Sequence, residues 1–158
     1  MKSNSDQILD TLNKLLCNEL SAIDQYFTHG EMYADWGLTQ LHEKLMHELD
    51  EEREHAKKLI ARLLFLEGTP NLQLRPPLNI GSTVPEMLTN DLAFELHVIK
   101  DLREAIALCE SKQDYQTRAL LTELLRDSEE GHAYWIEQQL ELIDRVGLQN
   151  YQQAMMKA

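Results

Sequence analysis

The chain has 158 residues, 43% hydrophobic but only 6% aromatic, with six glycines and four prolines. That is enough for one domain, 1–158, with a real core, and it suits helices better than a sheet, where β-branched and aromatic residues would dominate. A net charge of −12 and a pI near 4.8 argue against nucleic acid or an anionic membrane surface as partner and favour attraction of cations.

The first six residues are polar and no apolar run follows them, so neither a signal peptide nor a membrane span is expected, and a cytoplasmic protein is. The first helix is predicted from Ser5 or Asp6, both good N-caps, with apolar positions Ile8, Leu12, Leu15, Leu16, Leu20, Ile23 and Phe27. It ends near Trp36, where Gly37 offers a left-handed stop. The second opens near Thr39, carries Leu41, Leu45, Leu59, Leu63 and Leu66, and is closed by Gly68 and Pro70. Cys17 and Cys109 fall inside helical patterns, have no metal-like spacing, and read as reduced structural thiols.

Residues 69–82 form the one long break and hold three of the four prolines. Fourteen extended residues cover roughly 43 Å, about the length of a 28-residue helix. The connection can therefore run the length of a bundle and let helices two and three point the same way. The third helix opens on the capping box Thr83-Val84-Pro85-Glu86 and runs to about Ser111. Asp114 caps the fourth, which continues to Val146 and stops at Gly147. A short fifth helix, about Leu148 to Met156, follows.

Glu52 and His55 form Glu-x-x-His on the second helix, where residues three apart share a face. Glu129 and His132 repeat it on the fourth. With 17 Glu and six His, chance supplies roughly 0.6 such pairs, so the pairs need support from elsewhere. It comes from upstream: Glu19 precedes Glu52 by 33 residues and Glu95 precedes Glu129 by 34, and each lone Glu sits inside an apolar helical stripe. Aligning Glu19 on Glu95 also aligns Leu12 with Leu88, Leu16 with Leu92, Leu20 with Leu96 and Ile23 with Ile99. Carboxylates on a core face are costly unless paired or bound to metal. The set Glu19, Glu52, His55, Glu95, Glu129 and His132 thus predicts a site for two divalent ions. Glu52 and Glu129 would bridge them about 3.5–4 Å apart, and the mixed carboxylate–imidazole donors suit iron or manganese. Two Fe(II) there can each give one electron to a shared O2. Gly131, mid-helix beside the second pair, would ease close packing. Tyr26 lies on the face of Glu19 and reads as a core tyrosine. His29, His42 and His97 lack a Glu three residues before them.

The stretches LNKLLCNEL, DQYF, RLLFLEGTPNLQ, EMLTNDLAFELHVIKDLREAI, EEGHAYWIEQQLELI and GLQNYQQ resemble the bacterioferritin and bacterial ferritin family along essentially the whole chain. The resemblance implies an all-α, ferritin-like four-helix bundle with a long crossover and a short C-terminal helix. It implies a hollow 24-subunit shell that oxidises Fe(II) with O2 or peroxide and stores ferric mineral. It places two Fe per subunit on the six residues above, and a further inner-surface iron on His47 and Glu51, where the usual Asp is Glu.

Haem-binding members carry methionine directly after the bridging Glu of the second helix, and this chain has Arg53. A guanidinium cannot replace a thioether, so the resemblance is to the subunit type that lacks the haem ligand. A shell of this chain alone is not expected to hold haem b, and mixed shells with a haem-binding subunit are allowed. Met46, two turns earlier, is about 10 Å away along the axis. The alternative reading is a non-catalytic structural subunit. A rubrerythrin-like peroxidase would add a CxxC domain, and a DNA-protecting mini-ferritin would carry its ligands at a subunit interface; neither pattern is present.

Overall fold

A computed structural model describes residues 1–2 and 5–156. The described residues form helices without strands: α1 (Asp6–Asp35), α2 (Thr39–Phe65), α3 (Val84–Ser111), α4 (Tyr115–Arg126), a π-helical segment (Asp127–Ala133), α5 (Tyr134–Val146) and α6 (Leu148–Met155). The segments α4, π and α5 follow one another without a break and make the fourth rod of a bundle. α1 packs on α2, and α3 on both α1 and the fourth rod.

The helix ends fall where the sequence places them, with one exchange of roles. Gly37 takes a positive φ of 76°, and Leu38 N–H returns to Tyr33 O at 2.9 Å, closing α1. At the end of α2 the left-handed residue is Glu67, at φ 61°, not Gly68. At Gly68 a Cβ would lie 2.8 Å from Leu9 Cδ2, the tip of a side chain that would have to shift. Gln113 plays the part of Glu67 at the end of α3. Only half of the expected capping box forms: Thr83 Oγ1 accepts from Glu86 N–H at 3.3 Å, while the Glu86 carboxylate accepts from Ser82 Oγ at 3.1 Å. Asp114 Oδ1 caps α4 by accepting from Thr117 N–H at 3.1 Å. Each such cap contributes about 1 kcal/mol.

The crossover tracks α1 from end to end. Asn13 donates to Thr69 O at 3.1 Å, Cys17 donates to Leu74 O at 3.4 Å, and Arg75 pairs with Asp24 at 3.7 Å. Gln25 Oε1 accepts from Asn79 N–H at 3.1 Å, and His29 Nε2 accepts from Gly81 N–H at 3.1 Å. The chain therefore returns to the starting end of α2 before α3 begins, and α2 and α3 run parallel, as the length argument requires. The His29 bond also fixes its tautomer: with Nε2 accepting, Nδ1 carries the proton and donates to buried Asp91 at 2.9 Å.

The apolar core comes in two blocks. Leu12, Leu16, Leu59, Leu63, Leu102 and Leu124 fill one end. Tyr26, Tyr33, Leu41, Leu45, Met87, Leu88, Ile136 and Tyr151 fill the other. Burying side chains of this size stabilises by about 1.5–3 kcal/mol each. Helix α6 serves the second block through Tyr151, whose hydroxyl donates to Gln139 Oε1 at 2.8 Å. Phe27, counted above among the core positions of the first helix, is half exposed, and so is Leu96 on α3. The internal repeat is therefore looser in space than in sequence. No helix among the described residues is long and apolar enough to cross a membrane.

Candidate metal centre

Between the two apolar blocks lies a layer of charge. Glu19, Glu48, Glu52, His55, Glu95 and His132 are each at most 3% exposed. Glu19 comes from α1, Glu48, Glu52 and His55 from α2, Glu95 from α3, and His132 from the π segment. Helical spacing explains the contribution of α2: residues 48, 52 and 55, at intervals of four and three, share the face that further along carries Leu59 and Leu63.

Two triads result. Glu19, Glu52 and His55 can bring one ligand atom each within 4.8 Å of one another, and so can Glu52, Glu95 and His132. Glu52 belongs to both. His55 turns Nδ1 towards Glu19 Oε2 at 3.6 Å and Glu52 Oε2 at 3.5 Å. His132 turns Nδ1 towards Glu52 Oε1 at 2.9 Å and Glu95 Oε1 at 3.2 Å. The rings lie 6.3 Å apart, 24° from parallel. Tyr26 closes the layer by donating its hydroxyl to Glu95, so the core tyrosine also holds a carboxylate of the site.

The far nitrogens are held as well. His55 Nε2 lies 2.8 Å from Asp127 Oδ2. His132 Nε2 lies 2.7 Å from Glu51 Oε2 and also meets Glu48, which touches the ring as an ion pair without a hydrogen bond. Glu51 in turn reaches His47 Nε2 at 2.9 Å with its other oxygen, and Lys44 pairs with Glu48 at 2.9 Å. The two residues read as an inner-surface site, His47 and Glu51, are thus adjacent and linked through Glu51 to His132.

One expected ligand stands elsewhere. Glu129 is half-buried and turned away, accepting from Arg103 Nη2 at 2.9 Å and Nε at 3.3 Å. The π segment accounts for this. Its i→i+5 spacing brings Asp127 and His132, five residues apart, towards one face, and an α-helical count of three back from His132 no longer predicts which carboxylate points inward. Gly131 does not serve close packing, since a Cβ there would meet nothing within 4 Å; nothing in the structure explains the glycine.

Titration reflects the crowding. For His55 and His132, burial disfavours the charged ring, but their carboxylate partners outweigh it and raise both pKa values. The surrounding carboxylates thus favour the protonated form of both rings in the metal-free protein. Burial raises Glu95, although the His132 contact opposes it. Glu52 goes the other way, lowered because His132 and His55 together overcome its burial. Glu51 is lowered to about 2 by its bond to His132.

The donor set fits metal on an independent ground. Among the described residues, the buried side-chain atoms without a hydrogen-bond partner are Glu19 Oε2, Glu95 Oε2 and His55 Nδ1, with Glu48 Oε2 in the same layer and Tyr33 Oη and Ser128 Oγ outside it. Orphaned buried polar atoms of this kind cost about 1–3 kcal/mol each, and the first three belong to the two buried triads. A pocket of about 300 Å3, lined by His47, Asp50, Glu51, Glu54, His55, Lys58 and Asp127, leads from the surface to the His55 edge of the layer. Arg53 is exposed on the outside of α2, 3.9 Å from Asp50. Met46 does not share that exposure: it is partly buried in the second apolar block, packed over Gly30.

Sequence reasoning passed over Glu48 and Asp127. The signal for Glu48 was available, since it precedes Glu52 by four residues on the same face. Asp127 gave none, because its inward turn depends on the π segment.

The model of the ferritin-like domain matches residues 9–146. The chain is 54% identical over 149 residues to a bacterial ferritin of Synechocystis sp., covering 94% of this chain and 96% of that protein. It is 52% identical over 151 residues to a bacterial ferritin of Pseudomonas aeruginosa, covering 95% and 97%. A bacterioferritin of Mycolicibacterium paratuberculosis is 42% identical over 145 residues, covering 92% and 91%.

Proposed function

Because the chain belongs to the ferritin family, we propose that it stores iron and that its charged layer is a ferroxidase centre, oxidising Fe(II) to Fe(III) with O2 or peroxide. Fe(II) is the substrate. One ion would be held by Glu19, Glu52 and His55, the other by Glu52, Glu95 and His132. Glu129 would become the second bridge on leaving Arg103. The observation that carries this reading is the pair of buried triads sharing Glu52.

The roles follow from the geometry. Arrival of each cation competes with the protonation of His55 and His132 that their carboxylates favour, so uptake releases protons and is favoured at higher pH. Carboxylates compensate charge in a site with little water, where a second positive ion would otherwise be repelled. Two Fe(II) supply two electrons, which with two protons convert one O2 to hydrogen peroxide. Tyr26 keeps Glu95 oriented. The half-exposed pocket over Asp50, Glu51, Glu54 and Asp127 concentrates cations at the entrance.

The assembly belongs to the same proposal: a closed homo-oligomer of 24 subunits, alone or mixed with a haem-binding bacterioferritin subunit. Exposed Phe27, Leu72, Leu74, Leu78 and Ile80 favour it, since apolar surface on α1 and the crossover calls for burial against another copy. Arg53 at the haem-ligand position leaves a homopolymer without haem b. Oxygen uptake after Fe(II) addition tests the catalytic part. Glu19→Ala and His55→Ala should each slow the fast phase at least 100-fold while the oligomer stays assembled. Both variants oxidising at the parent rate would leave only the non-catalytic shell subunit.

A further inference from the structure

We infer that Asp127 is a positioning residue of this centre, fixing His55 so that Nδ1 faces the metal side; the inference rests on the ferroxidase reading. An imidazole can ligate through either nitrogen, and rotation about its second side-chain torsion swaps them. What decides is the bond made by the other nitrogen: a carboxylate that accepts its N–H fixes both tautomer and ring orientation. Asp127 Oδ2, 2.8 Å from Nε2, is that acceptor.

The two histidines differ in how redundantly they are held. His132 has two carboxylates at Nε2, Glu51 and Glu48. His55 has Asp127 at Nε2, while its Nδ1 faces Glu19 and Glu52 of its own triad. Loss of Asp127 therefore releases one ring only. Asp127 is not itself a buried ligand: its side chain is 45% exposed and lines the entrance pocket. Its reach inward comes from opening the π segment, which sends Glu129 out to Arg103 and leaves Asp127 beside His55 of α2. The π turn thus gives Asp127 the place of an outer partner to His55 and turns Glu129 towards Arg103.

The test is a Co(II) titration of the metal-free full-length protein, followed by visible absorption, with Asp127→Ala, Asp127→Asn and Glu54→Ala. The parent should take up two Co(II) per subunit. Asp127→Ala should weaken one of the two by about 10–100-fold and spare the other. Asp127→Asn loses the charge but keeps an oxygen that accepts from Nε2–H, and should restore most of that affinity. Glu54→Ala removes a carboxylate of the same pocket that makes no ion pair with His55, and should weaken both sites alike by no more than a few-fold, selecting neither. Equal weakening by Asn and Ala, or by Glu54→Ala and Asp127→Ala, would reduce the effect to local charge and overturn the positioning role. Two tight sites in Asp127→Ala would overturn it outright while leaving the centre intact. A parent that takes up no Co(II) would remove the centre and this role together.

Discussion

Glu52→Gln separates what the charged layer does for metal from what it does for the fold. Glu52 is 2% exposed and is common to both triads, with Oε1 at 2.9 Å from His132 and Oε2 at 3.5 Å from His55. Glutamine keeps the volume and removes the charge. In the metal-free protein His132 retains Glu48, Glu51 and Glu95, and His55 retains Glu19 and Asp127. The fold should therefore change by no more than about 1 kcal/mol, or about 2–4 °C in Tm for a chain of this length. Metal changes the balance. An ion present at 100 times its Kd stabilises by about 2.7 kcal/mol. Two such ions contribute roughly 5 kcal/mol and raise Tm by about 10–20 °C. Glu52→Gln loses a charged donor from both positions at once, and the metal-induced rise should fall below about 5 °C. Thermal melts of the metal-free protein with and without Zn(II), at equal subunit concentration, measure both quantities. A variant that keeps a rise above 10 °C would refute the sharing of Glu52. A metal-free Tm lowered by 10 °C or more would show that the layer is a structural ion-pair network instead.

Three further outcomes are expected. Light scattering should give a mass near 24 times the 18.4 kDa subunit, and a monomer or dimer in mild buffer would refute the shell. Protein expressed with excess haem precursor should show no bis-methionine haem band as a homopolymer and should show one in Arg53→Met; a strong band in the parent would refute the reading of Arg53. Glu51, lowered to about 2 by His132, contributes stability that is present above its unfolded value near 4.5 and is lost as pH falls towards 2. Glu51→Gln should thus lower the Tm of the metal-free protein by about 2–4 °C at pH 6, a half-buried pair screened by solvent being worth roughly 1 kcal/mol. That difference should close between pH 4.5 and 2, and a constant difference across this range would assign the effect to packing.

Much of this molecule was legible in the chain because the signals are local. Helix faces follow from apolar spacing, and helix ends from Thr83, Asp114, Gly37 and Gly147. The parallel course of α2 and α3 follows from the length of residues 69–82. Glu19, Glu52, His55, Glu95 and His132 stood out because carboxylates and imidazoles on apolar stripes are expensive without a purpose. What the sequence could not decide depends on packing between helices. Phe27 shares the periodicity of Leu20 and Ile23, yet no neighbouring element within the subunit covers it. At the end of α2 the left-handed residue is Glu67, and Gly68 beside it packs close to Leu9, a contact from far away in sequence.

The same reason explains why Glu129, expected as a ligand, stands apart. Glu-x-x-His is read on an α-helical count of three, and on α2 the helix keeps that count. Around His132 the backbone widens into a π turn. A wider turn is a small local cost that neighbouring helices can impose and no nearest-neighbour rule predicts. It carries Glu129 to Arg103 and Asp127 to His55. Residue spacing determined which side chains could reach the middle of the bundle; only the tertiary structure decided which carboxylates face it, because that choice rests on backbone register and on partners from other helices.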